Sequence, residues 1–362
     1  MQLLFVSHQP LRFNVETPAR QPLGGTESAT AWLARQLAAN GHDVTLMTGL
    51  PRGTPDYLDG VRHLPGERIS DTALLASFDA VIAVGSLGLA QQLKTVAPRA
   101  LHVAWLHALP DQPGMKLLPG AAPFLDGAVF VSEWQRRAVR FDGAGHVIGN
   151  GVAPAFEDLF NSAEELIAAK QNRAAYTTTP YRGLHILAEA FARARIATEL
   201  DVWSGMSLYQ ADDAPFAAVY AAARATPRLS LHAPVGQAEL ATRLKPAAFL
   251  FYPSVYFETY CITALEAIAA GLKVISTDLG ALSETTLGFA DLMPVIGLPP
   301  DELVRAFAAR LEAAEAAFLA DPRAWGQARF AQSREVVRRC NWRARAREWE
   351  GFLEPAIAAR RA

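Results

Sequence analysis

The sequence lacks the features that mark several classes of protein. Only two of its 362 residues are cysteines, Cys261 and Cys340, too few for a disulfide framework and normal for a reducing compartment, so we expect the cytoplasm. No apolar run approaches about 18 residues, so no membrane-spanning helix is expected. The N-terminal MQLLFVSHQP has no basic residue before its apolar run, which favours a buried first strand over a signal peptide.

The chain also lacks an excess of charge of either sign. Its 34 basic and 36 acidic residues give a net charge of −2, which removes the general electrostatic argument for nucleic-acid binding. Each of its two basic clusters is compatible with a solvated helix face, or with anionic lipid headgroups or an anionic acceptor, so peripheral contact with the inner face of a membrane stays open. The clusters are Arg136, Arg137 and Arg140, and Arg338, Arg339, Arg343, Arg345 and Arg347.

Two missing motifs bear on the chemistry. No D-x-D occurs, so a metal-bridged diphosphate is not indicated, and no G-x-G-x-x-G follows a strand, which argues against a dinucleotide oxidoreductase. His102 and His107 are five residues apart on a predicted strand and therefore on opposite faces, so they cannot form a metal pair. We expect neither a metal nor a cofactor.

The chain does contain a regular alternation of strand and helix patterns, which is typical of parallel α/β sheets. One set of strands runs from LLFVSH to AVFVS, and a second runs from AYTTT to KVISTD. The polar residues 152–173 between them are typical of a connector. The length of 362 residues predicts two domains, and we place their boundary near residue 165. Further along the chain, residues 301–319 predict an alanine-rich amphipathic helix.

The most informative segment, residues 251–271, predicts a strand, a loop and the start of a helix. If Glu258 and Glu266 both lie on that helix, they stand about 12 Å apart along its axis and about 80° apart around it, too far for one metal ion. Two such carboxylates suit an extended, hydroxyl-rich ligand whose anionic centre meets the N–H groups at the helix start, as in a nucleotide-sugar. These N–H groups belong to Tyr260, Cys261 and Ile262.

Glu266 has a second interpretation, because its position is also compatible with a solvated helix face. Its neighbours favour a role in binding. It is the only charge in CITALEAIAAGL, and an unpaired carboxylate is costly to bury. We therefore expect Glu266 to open onto a cleft.

The segment with the two glutamates resembles the E-x7-E signature of retaining glycosyltransferases of the GT-B fold, family four (group 1). Other segments resemble that family in the same order: PLGGTESATAWLARQLAANGHDVTLMTG, VSEWQRRAV, HVIGNGV, TPYRGLHILAEAFARAR, KVISTDLGALSE and NWRARAREWEGFL. The resemblance implies an α/β fold of two facing Rossmann-like domains with parallel sheets and an inter-domain cleft. Residues 1–165 would form the acceptor domain and residues 166–341 the nucleotide-sugar donor domain, with helix 342–362 packing back on the first.

In the first domain, Gly24 and Gly25 precede a helix, where glycine permits positive φ and close approach to a ligand. A plain turn is the alternative, whereas the resemblance implies a loop that faces the donor diphosphate and the acceptor. His107 ends the strand VAWLH and resembles a histidine placed near the transferred sugar. A structural role for it stays open, because Ala108 stands where the family has an acidic neighbour.

In the second domain, Arg182 opens the first helix, where a guanidinium can pair with phosphate oxygens. The family often has a second basic residue about five positions earlier, and this chain has threonines at 177–179 instead. The resemblance further implies that Pro234 and Val235 contact the nucleobase through their backbone. It also implies that Glu266 binds the ribose, Glu258 the donor sugar and Arg182 the leaving diphosphate, which itself helps to deprotonate the acceptor.

The sequence therefore predicts a metal-independent retaining glycosyltransferase of the hexosyltransferase type, acting in polysaccharide or glycoconjugate biosynthesis. It would use a nucleotide-sugar as co-substrate and a glycan, lipid-linked or small-molecule acceptor. An inactive nucleotide-sugar-binding or partner module is one alternative, favoured by Ala108 and the threonines at 177–179. A nucleotide-sugar epimerase or a pyridoxal-dependent phosphorylase is another, although the chain has only five lysines to supply a cofactor lysine. The donor base, the sugar, the acceptor and the oligomeric state stay open.

Overall fold

The computed structural model describes residues 1–361, apart from the side chains of residues 8–10. The chain forms two compact units. Unit 1 consists of Met1–Pro18, Gly24–Gly151 and the residues from Trp342 onward, and unit 2 consists of Ala19–Leu23 and Val152–Asn341.

Unit 1 contains a sheet of eight strands: β1 (Gln2–Arg12), β2 (Asp43–Gly49), β3 (Tyr57–Leu58), β4 (Val61–Pro65), β5 (Ala80–Val84), β6 (Leu101–Leu106), β7 (Gly127–Phe130) and β8 (Gly145–Val147). Their order is β3-β4-β2-β1-β5-β6-β7-β8. Only the short β3 pairs in an antiparallel manner, with β4, in this described sheet.

Unit 2 contains a sheet of six strands: β9 (Gln171–Tyr176), β10 (Glu199–Trp203), β11 (Leu229–His232), β12 (Ala247–Tyr252), β13 (Lys273–Thr277) and β14 (Asp291–Met293). Their order is β11-β10-β9-β12-β13-β14, and every pair is parallel. The predicted α/β class with parallel sheets is therefore confirmed in both units.

The α-helices are α1 (Thr17–Arg20), α2 (Gly25–Ala39), α3 (Thr72–Leu75), α4 (Ala90–Val96), α5 (Leu118–Ala121), α6 (Glu133–Ala138), α7 (Ala163–Ala169), α8 (Leu184–Arg193), α9 (Ala217–Ala225), α10 (Gln237–Leu244), α11 (Ile262–Ala269), α12 (Leu282–Thr285), α13 (Pro300–Ala320), α14 (Pro322–Cys340) and α15 (Trp342–Arg361). The helices α1–α12 lie between strands along the chain, as parallel pairing requires, and α13–α15 follow the last strand. The helix predicted at 301–319 is α13. Within residues 1–361, no helix is both long and apolar enough to cross a membrane.

The central strands have continuous apolar sequences because both of their faces are covered. Every residue of β5 (AVIAV) and of β12 (AAFLFY) is buried. In unit 1, α15 adds a large aromatic side chain to this core. The Trp349 ring lies 5.1 Å from that of Trp105 and 6.5 Å from that of Phe5, both in edge-on contact. The closing helix is therefore part of the core of unit 1.

The change from unit 1 to unit 2 falls at residue 151, whereas the polar composition placed it near residue 165. Residues 152–173 are polar, but they belong to unit 2. The Val152 N–H donates to the Cys340 carbonyl at 2.7 Å, and α7 packs on α14, where Gly326 leaves room for Ile167. Polarity predicted a connector here, but it carries no information about the neighbour on which a helix packs.

Candidate functional site

The predicted site residues of unit 2 converge at one edge of its sheet. Because every pair of strands there is parallel, the loops that follow β9, β10, β11 and β12 leave from the same edge, where α/β sheets bind ligands. Arg182 follows β9, Pro234 follows β11 and Glu258 follows β12.

Arg182 and Glu258, which are 76 residues apart in sequence, form an ion pair at this edge. An N–H of the Arg182 guanidinium donates to Oε1 of Glu258, and the two side chains are only 15 % and 7 % exposed. A buried pair of this kind is costly to break by removing one partner, because the other charge stays behind in a poorly solvated place. The structure therefore unites two of the residues for which the sequence predicted ligand contacts.

Aromatic side chains surround the rest of the Arg182 guanidinium. Its carbon lies 4.2 Å from the centre of the Tyr256 ring and 5.5 Å from that of Tyr181. Its second terminal nitrogen is 3.5 Å from the Tyr209 hydroxyl, a long and weak contact. Burial lowers the pKa of Arg182, but the Glu258 carboxylate and the smaller effects of the neighbouring tyrosines together raise it well above its usual value. The site therefore holds a permanent positive charge whose weakest contact is the one with Tyr209.

A glycine makes the position of Arg182 possible. Gly183 has φ +121°, and a Cβ atom there would lie 2.1 Å from the Pro253 carbonyl oxygen. Only glycine combines that backbone angle with so close an approach. The turn that carries Arg182 is thus packed directly on the loop that carries Glu258. The 3₁₀ turn Pro180–Arg182 precedes α8, so Arg182 lies just before the predicted helix and not inside it.

The threonines at 177–179 shape this turn. Thr178 and Thr179 are buried. The Thr179 carbonyl accepts hydrogen bonds from the Tyr176 hydroxyl at 2.7 Å and from the Arg182 N–H at 3.2 Å. At this position the chain has a buried turn instead of a second exposed cation.

Glu258 is fixed through its backbone and its side chain. Gly280, with φ +72°, pairs with Glu258, and the Ala281 N–H donates to the Glu258 carbonyl at 2.7 Å. The buried Tyr252 hydroxyl donates to Oε1, the same carboxylate oxygen that Arg182 contacts. The segment GALSE, which follows β13, is the end of one of the segments that resemble the family. Its physical role is to hold Glu258.

The assumption that both glutamates lie on one helix was wrong. Helix α11 begins at Ile262, and Glu258 lies in the loop before it. The separation of about 12 Å and 80° calculated for one helix does not apply. The bridge to Gly280 keeps Glu258 in an extended backbone, which competes with helix formation. Only Glu266 is on the helix.

Glu266 is buried, which excludes a solvated helix face and also differs from the predicted opening onto a cleft. Glu266 is 5 % exposed. Its Oε1 accepts hydrogen bonds from the Ala153 N–H at 3.2 Å and from the Gln237 amide at 2.6 Å. Burial raises the pKa of Glu266 to about 8, although these two hydrogen bonds lower it. The carboxyl is therefore largely protonated at neutral pH, which reduces the cost of burying it.

The start of α11 lies between these two glutamates. Cys261 is the residue before the helix, and Ile262 is its first residue. The N–H groups of a first helical turn have no partners within the helix and favour an anion. Burial raises the pKa of the Cys261 thiol well above its usual range, and the Glu258 charge adds to the shift. The thiol is therefore neutral and unsuited to be a nucleophile.

Pro234 and Val235 lie in the loop between β11 and α10, and both are half-buried. This loop packs on the one after β10, because a Cβ atom at Gly205 would lie 2.8 Å from Pro234. Beneath the loops, the rings of Trp203 and His232 stack with their centres 5.0 Å apart. The backbone of this loop is therefore held in place.

In unit 1, Gly24 precedes α2 and Gly25 is its first residue. Gly24 has φ −59°, so its position does not require the positive φ that glycine permits. The first turn of α2 also contains Glu27, which is buried, and burial raises its pKa to about 7.

His107 directly follows β6, as predicted. Its ring lies 4.5 Å from that of Trp105. Burial lowers its pKa to about 4, and the opposing effect of the Asn150 side chain is smaller. The imidazole is therefore neutral at physiological pH and can donate or accept a hydrogen bond without carrying charge.

Several residues of these edges were not predicted from the sequence. Glu27 had a weaker form of the signal of Glu266, because it is the only acid of α2 but that helix also contains Arg35 and several polar residues. Tyr252 ends an apolar strand, where its pattern indicates a core residue. The others had no local signal: they are Asn150, Tyr209 and Gln237.

Several arginines of the basic clusters pair with acids on their own helices. Arg136 contacts Glu133 at 2.9 Å, Arg338 contacts Glu335 at 2.8 Å, and Arg345 contacts Glu348 at 2.8 Å. Such pairs are typical of solvated helix faces. Among the described side chains, no group of three or more His, Cys, Asp and Glu residues could hold a metal ion.

Comparison with known proteins gives a family match for part of the chain. Residues 174–314 match the family model described as Glycosyl transferases group 1, which covers most of unit 2 and contains Arg182, Pro234, Glu258 and Glu266. No curated protein matches the chain by sequence.

Solved structures are similar over the whole chain. Sucrose-phosphate synthase from Thermosynechococcus elongatus is 20 % identical with a TM-score of 0.75, over 99 % of this chain and 100 % of that one. HepE from Anabaena, in complex with UDP and glucose, is 14 % identical with a TM-score of 0.73, over 98 % and 99 %. Trehalose 6-phosphate synthase from Burkholderia multivorans is 14 % identical with a TM-score of 0.67, over 99 % and 97 %. Identities this low establish the fold alone, and the chain has the GT-B fold that the sequence predicted.

Proposed function

We propose that this chain is a glycosyltransferase that moves a sugar from a nucleotide-sugar to an acceptor hydroxyl, with retention of anomeric configuration and without a metal ion. The observation that carries the proposal is the pairing of Arg182 with Glu258 at the ligand-binding edge of unit 2. Such a donor has two parts to be bound. Its diphosphate requires a cation, and the hydroxyls of its sugar require an acceptor such as a carboxylate.

The donor would bind mainly to unit 2. Glu266 would contact the ribose hydroxyls, and the backbone of Pro234 and Val235 would contact the base. Glu258 would receive hydroxyls of the transferred sugar. The N–H groups of Tyr260, Cys261 and Ile262 would meet the diphosphate, supported by the position of α11 directly after them.

Arg182 would stabilise the charge that develops on the leaving diphosphate. Its nitrogen near Tyr209 has only a 3.5 Å contact to lose, so a phosphate oxygen can replace Tyr209 while the pair with Glu258 persists. The acceptor would approach the same face of the sugar that the diphosphate leaves. The departing phosphate oxygen would take the proton of the acceptor hydroxyl, so no side chain of the enzyme needs to become a nucleophile.

In unit 1, Gly24 and Gly25 at the start of a helix would contact the diphosphate and the acceptor. His107 would offer a neutral hydrogen-bonding group to the sugar or the acceptor, in keeping with its lowered pKa. The chemical identity of the acceptor, whether glycan, lipid-linked or small molecule, is not specified by these residues.

One observation favours a second candidate, a nucleotide-sugar-binding module without activity. The turn before Arg182 contains the buried Thr178 and Thr179, so Arg182 would meet the diphosphate without a second cation in that turn. Such a module would bind the nucleotide and transfer nothing.

A panel of UDP, GDP, ADP and dTDP tests donor binding. A nucleotide present at 100 times its Kd should stabilise the protein by about 2.7 kcal/mol, seen as a rise in Tm. Transfer from the matching nucleotide-sugar should then be measured with acceptors of each class, and the anomeric configuration of the product read by NMR. Binding without transfer would favour the inactive module, and absence of all binding would overturn both candidates.

Transfer should also survive EDTA. The sequence has no D-x-D, and the proposed contacts of the diphosphate are Arg182 and backbone N–H groups, which need no metal bridge. The measurement is kcat with chelator, with added Mg²⁺ and with added Mn²⁺. Activity that vanishes with EDTA and returns with either ion would contradict the metal-independent mechanism.

A further inference from the structure

The two glutamates of the site are held in the same way. In each, Oε1 accepts two hydrogen bonds from the protein: Glu258 from Arg182 and Tyr252, and Glu266 from Ala153 and Gln237. In the part of the chain that the structure describes, no hydrogen bond engages Oε2 of either carboxyl group. Each group is therefore fixed through one oxygen and presents the other.

This arrangement has a chemical consequence for ligand binding. A carboxyl group fixed by two donors on one oxygen cannot rotate without breaking both hydrogen bonds, so its second oxygen has a defined direction. Fixing such a group in advance avoids the loss of side-chain freedom on binding. The donors that fix it then matter for affinity although they never touch the ligand.

We propose that Tyr252 and Gln237 are positioning residues, Tyr252 orienting Glu258 toward the donor sugar and Gln237 orienting Glu266 toward the ribose. The proposal rests on the proposed function, because it takes the ligands of the two glutamates from there. It adds two residues to the site, each with a separate effect on one half of the donor.

The environment of Tyr252 suits this role. It is the last residue of β12 and is 1 % exposed. Its carbonyl accepts from the Ser276 hydroxyl at 2.6 Å. Its hydroxyl lies 3.3 Å from that of Ser254, whose proton has a closer acceptor in the Tyr256 carbonyl at 2.9 Å. Because a carboxylate oxygen only accepts hydrogen bonds, the Tyr252 hydroxyl donates its proton to Glu258. Tyr252 therefore fixes Glu258 independently of the ligand that Arg182 binds.

Gln237 occupies an equivalent place beside Glu266. It is the first residue of α10 and directly follows the loop of Pro234 and Val235. Its amide is 2.6 Å from Oε1 of Glu266. One residue therefore connects the loop proposed for the base with the carboxyl group proposed for the ribose, so that the two contacts of the nucleoside are set relative to each other.

For Tyr252, the test is Tyr252→Phe, which removes one hydroxyl and little volume. We expect kcat/KM for transfer to fall about tenfold, the scale of one hydrogen bond to a charged group, while the Kd of the free nucleoside diphosphate stays within about twofold. The matched control is Tyr220→Phe, since the buried Tyr220 hydroxyl also donates to a carboxylate of unit 2, Asp213, at 2.8 Å. Transfer by Tyr252→Phe at the parental rate overturns the role of Tyr252.

For Gln237, the test is Gln237→Met, which keeps the length of the side chain and removes its N–H groups. The probes are the diphosphate selected by the nucleotide panel and its 2′,3′-dideoxy analogue. We expect the Kd of the diphosphate to rise about five- to tenfold, the scale of one hydrogen bond between the ribose and Glu266. The Kd of the analogue should change little. The preference for ribose therefore falls, a result that general loosening of the fold would not give.

Exposed Gln327 on α14 provides the control variant Gln327→Met, and thermal unfolding checks that each variant is folded. If both probes weaken equally, or if neither does, Gln237 does not orient Glu266. Failure of the proposed function has a different result: the parent protein itself then shows no preference for ribose, and Glu266→Ala binds the diphosphate as the parent does.

Discussion

The two units share one architecture and differ in how they hold polar groups at the carboxyl ends of their strands. In unit 2, Arg182 and Glu258 form an ion pair, and Glu258 is fixed by further contacts with Tyr252 and Gly280. In unit 1, burial lowers the charge of the corresponding polar groups. His107 is neutral because burial lowers its pKa to about 4, and burial raises the pKa of Glu27 to about 7.

This difference suits the division between donor and acceptor that the proposed function requires. An anionic donor is bound best by charges that are already in place, since preorganised charges need no reorganisation when the ligand arrives. An acceptor that offers a neutral hydroxyl needs hydrogen-bonding groups without net charge. We infer that substitutions in unit 2 will affect donor binding and the leaving group, whereas substitutions in unit 1 will affect transfer alone.

The largest effect is expected for Arg182→Ala in unit 2. Removal of one preorganised stabiliser of transition-state charge costs roughly two to three orders of magnitude, and kcat/KM should fall by that amount. The variant should also lose stability, because Glu258 stays buried without its partner. Arg193→Ala is the matched control, since Arg193 pairs with Glu189 on the exposed surface of α8. Parental transfer by Arg182→Ala would place the reaction elsewhere.

The next effect is expected for Glu266→Ala. Loss of the hydrogen bonds between the ribose and the buried Glu266 carboxyl group leaves the ribose hydroxyls unsatisfied, which should weaken binding of the free nucleotide by about 1–3 kcal/mol, or about 5- to 150-fold in Kd. Calorimetry measures this, with the exposed Glu302→Ala on α13 as control. An unchanged Kd would leave Glu266 as a buried structural acid.

Much of the fold could be predicted from the sequence, because the dominant signal was local. Strands such as β5 and β12 are continuous apolar runs, and α13 has a clear amphipathic period. The short strands β3 and β14 were missed, because two or three residues show no period. The unit boundary was misplaced because it depends on which helix α7 meets, and that is a tertiary fact.

The site was predicted in part, and for a physical reason. Arg182, Glu258 and Glu266 stand out as charges beside apolar strands and helices, so their positions could be inferred. Their partners could not, because Tyr252 has the pattern of a core residue and Gln237 that of an ordinary helix start. Arg182 and Glu258 are 76 residues apart in sequence. A contact between residues so distant in sequence produces no recognisable spacing of motifs.

In unit 1, His107→Ala sharpens the comparison. We expect kcat for transfer to fall about tenfold, as for the loss of one hydrogen bond, and the Kd of the free nucleotide to stay within about twofold. A loss of nucleotide affinity equal to the loss of transfer would contradict the division between the units. His102→Ala is a poor control, because His102 is buried and contacts the Ala97 carbonyl at 2.8 Å. The half-exposed His185→Ala in unit 2 is preferable.

The smallest effect concerns stability and compares the buried carboxyl groups of the two units. Each has a folded-state pKa raised above its usual value of 4.5, to about 7 for Glu27 and to about 8 for Glu266. The unfolded chain therefore binds fewer protons than the folded one above pH 4.5, and both contributions to stability decline as pH rises. The contribution of Glu27 to stability is mostly lost by pH 7, whereas the contribution of Glu266 declines further up to pH 8.

Thermal unfolding between pH 7 and pH 8 separates the two groups, because the histidines with lowered pKa values, such as His107, are already neutral there. We expect the Tm of the parent to fall by a few degrees in this interval, at about 2–4 °C for each kcal/mol. Glu266→Gln should flatten the fall, since an amide cannot ionise, and Glu27→Gln should leave most of it. Equal slopes in the parent and in Glu266→Gln would show that Glu266 is ionised well below pH 7, and the reasoning from its burial would then fail.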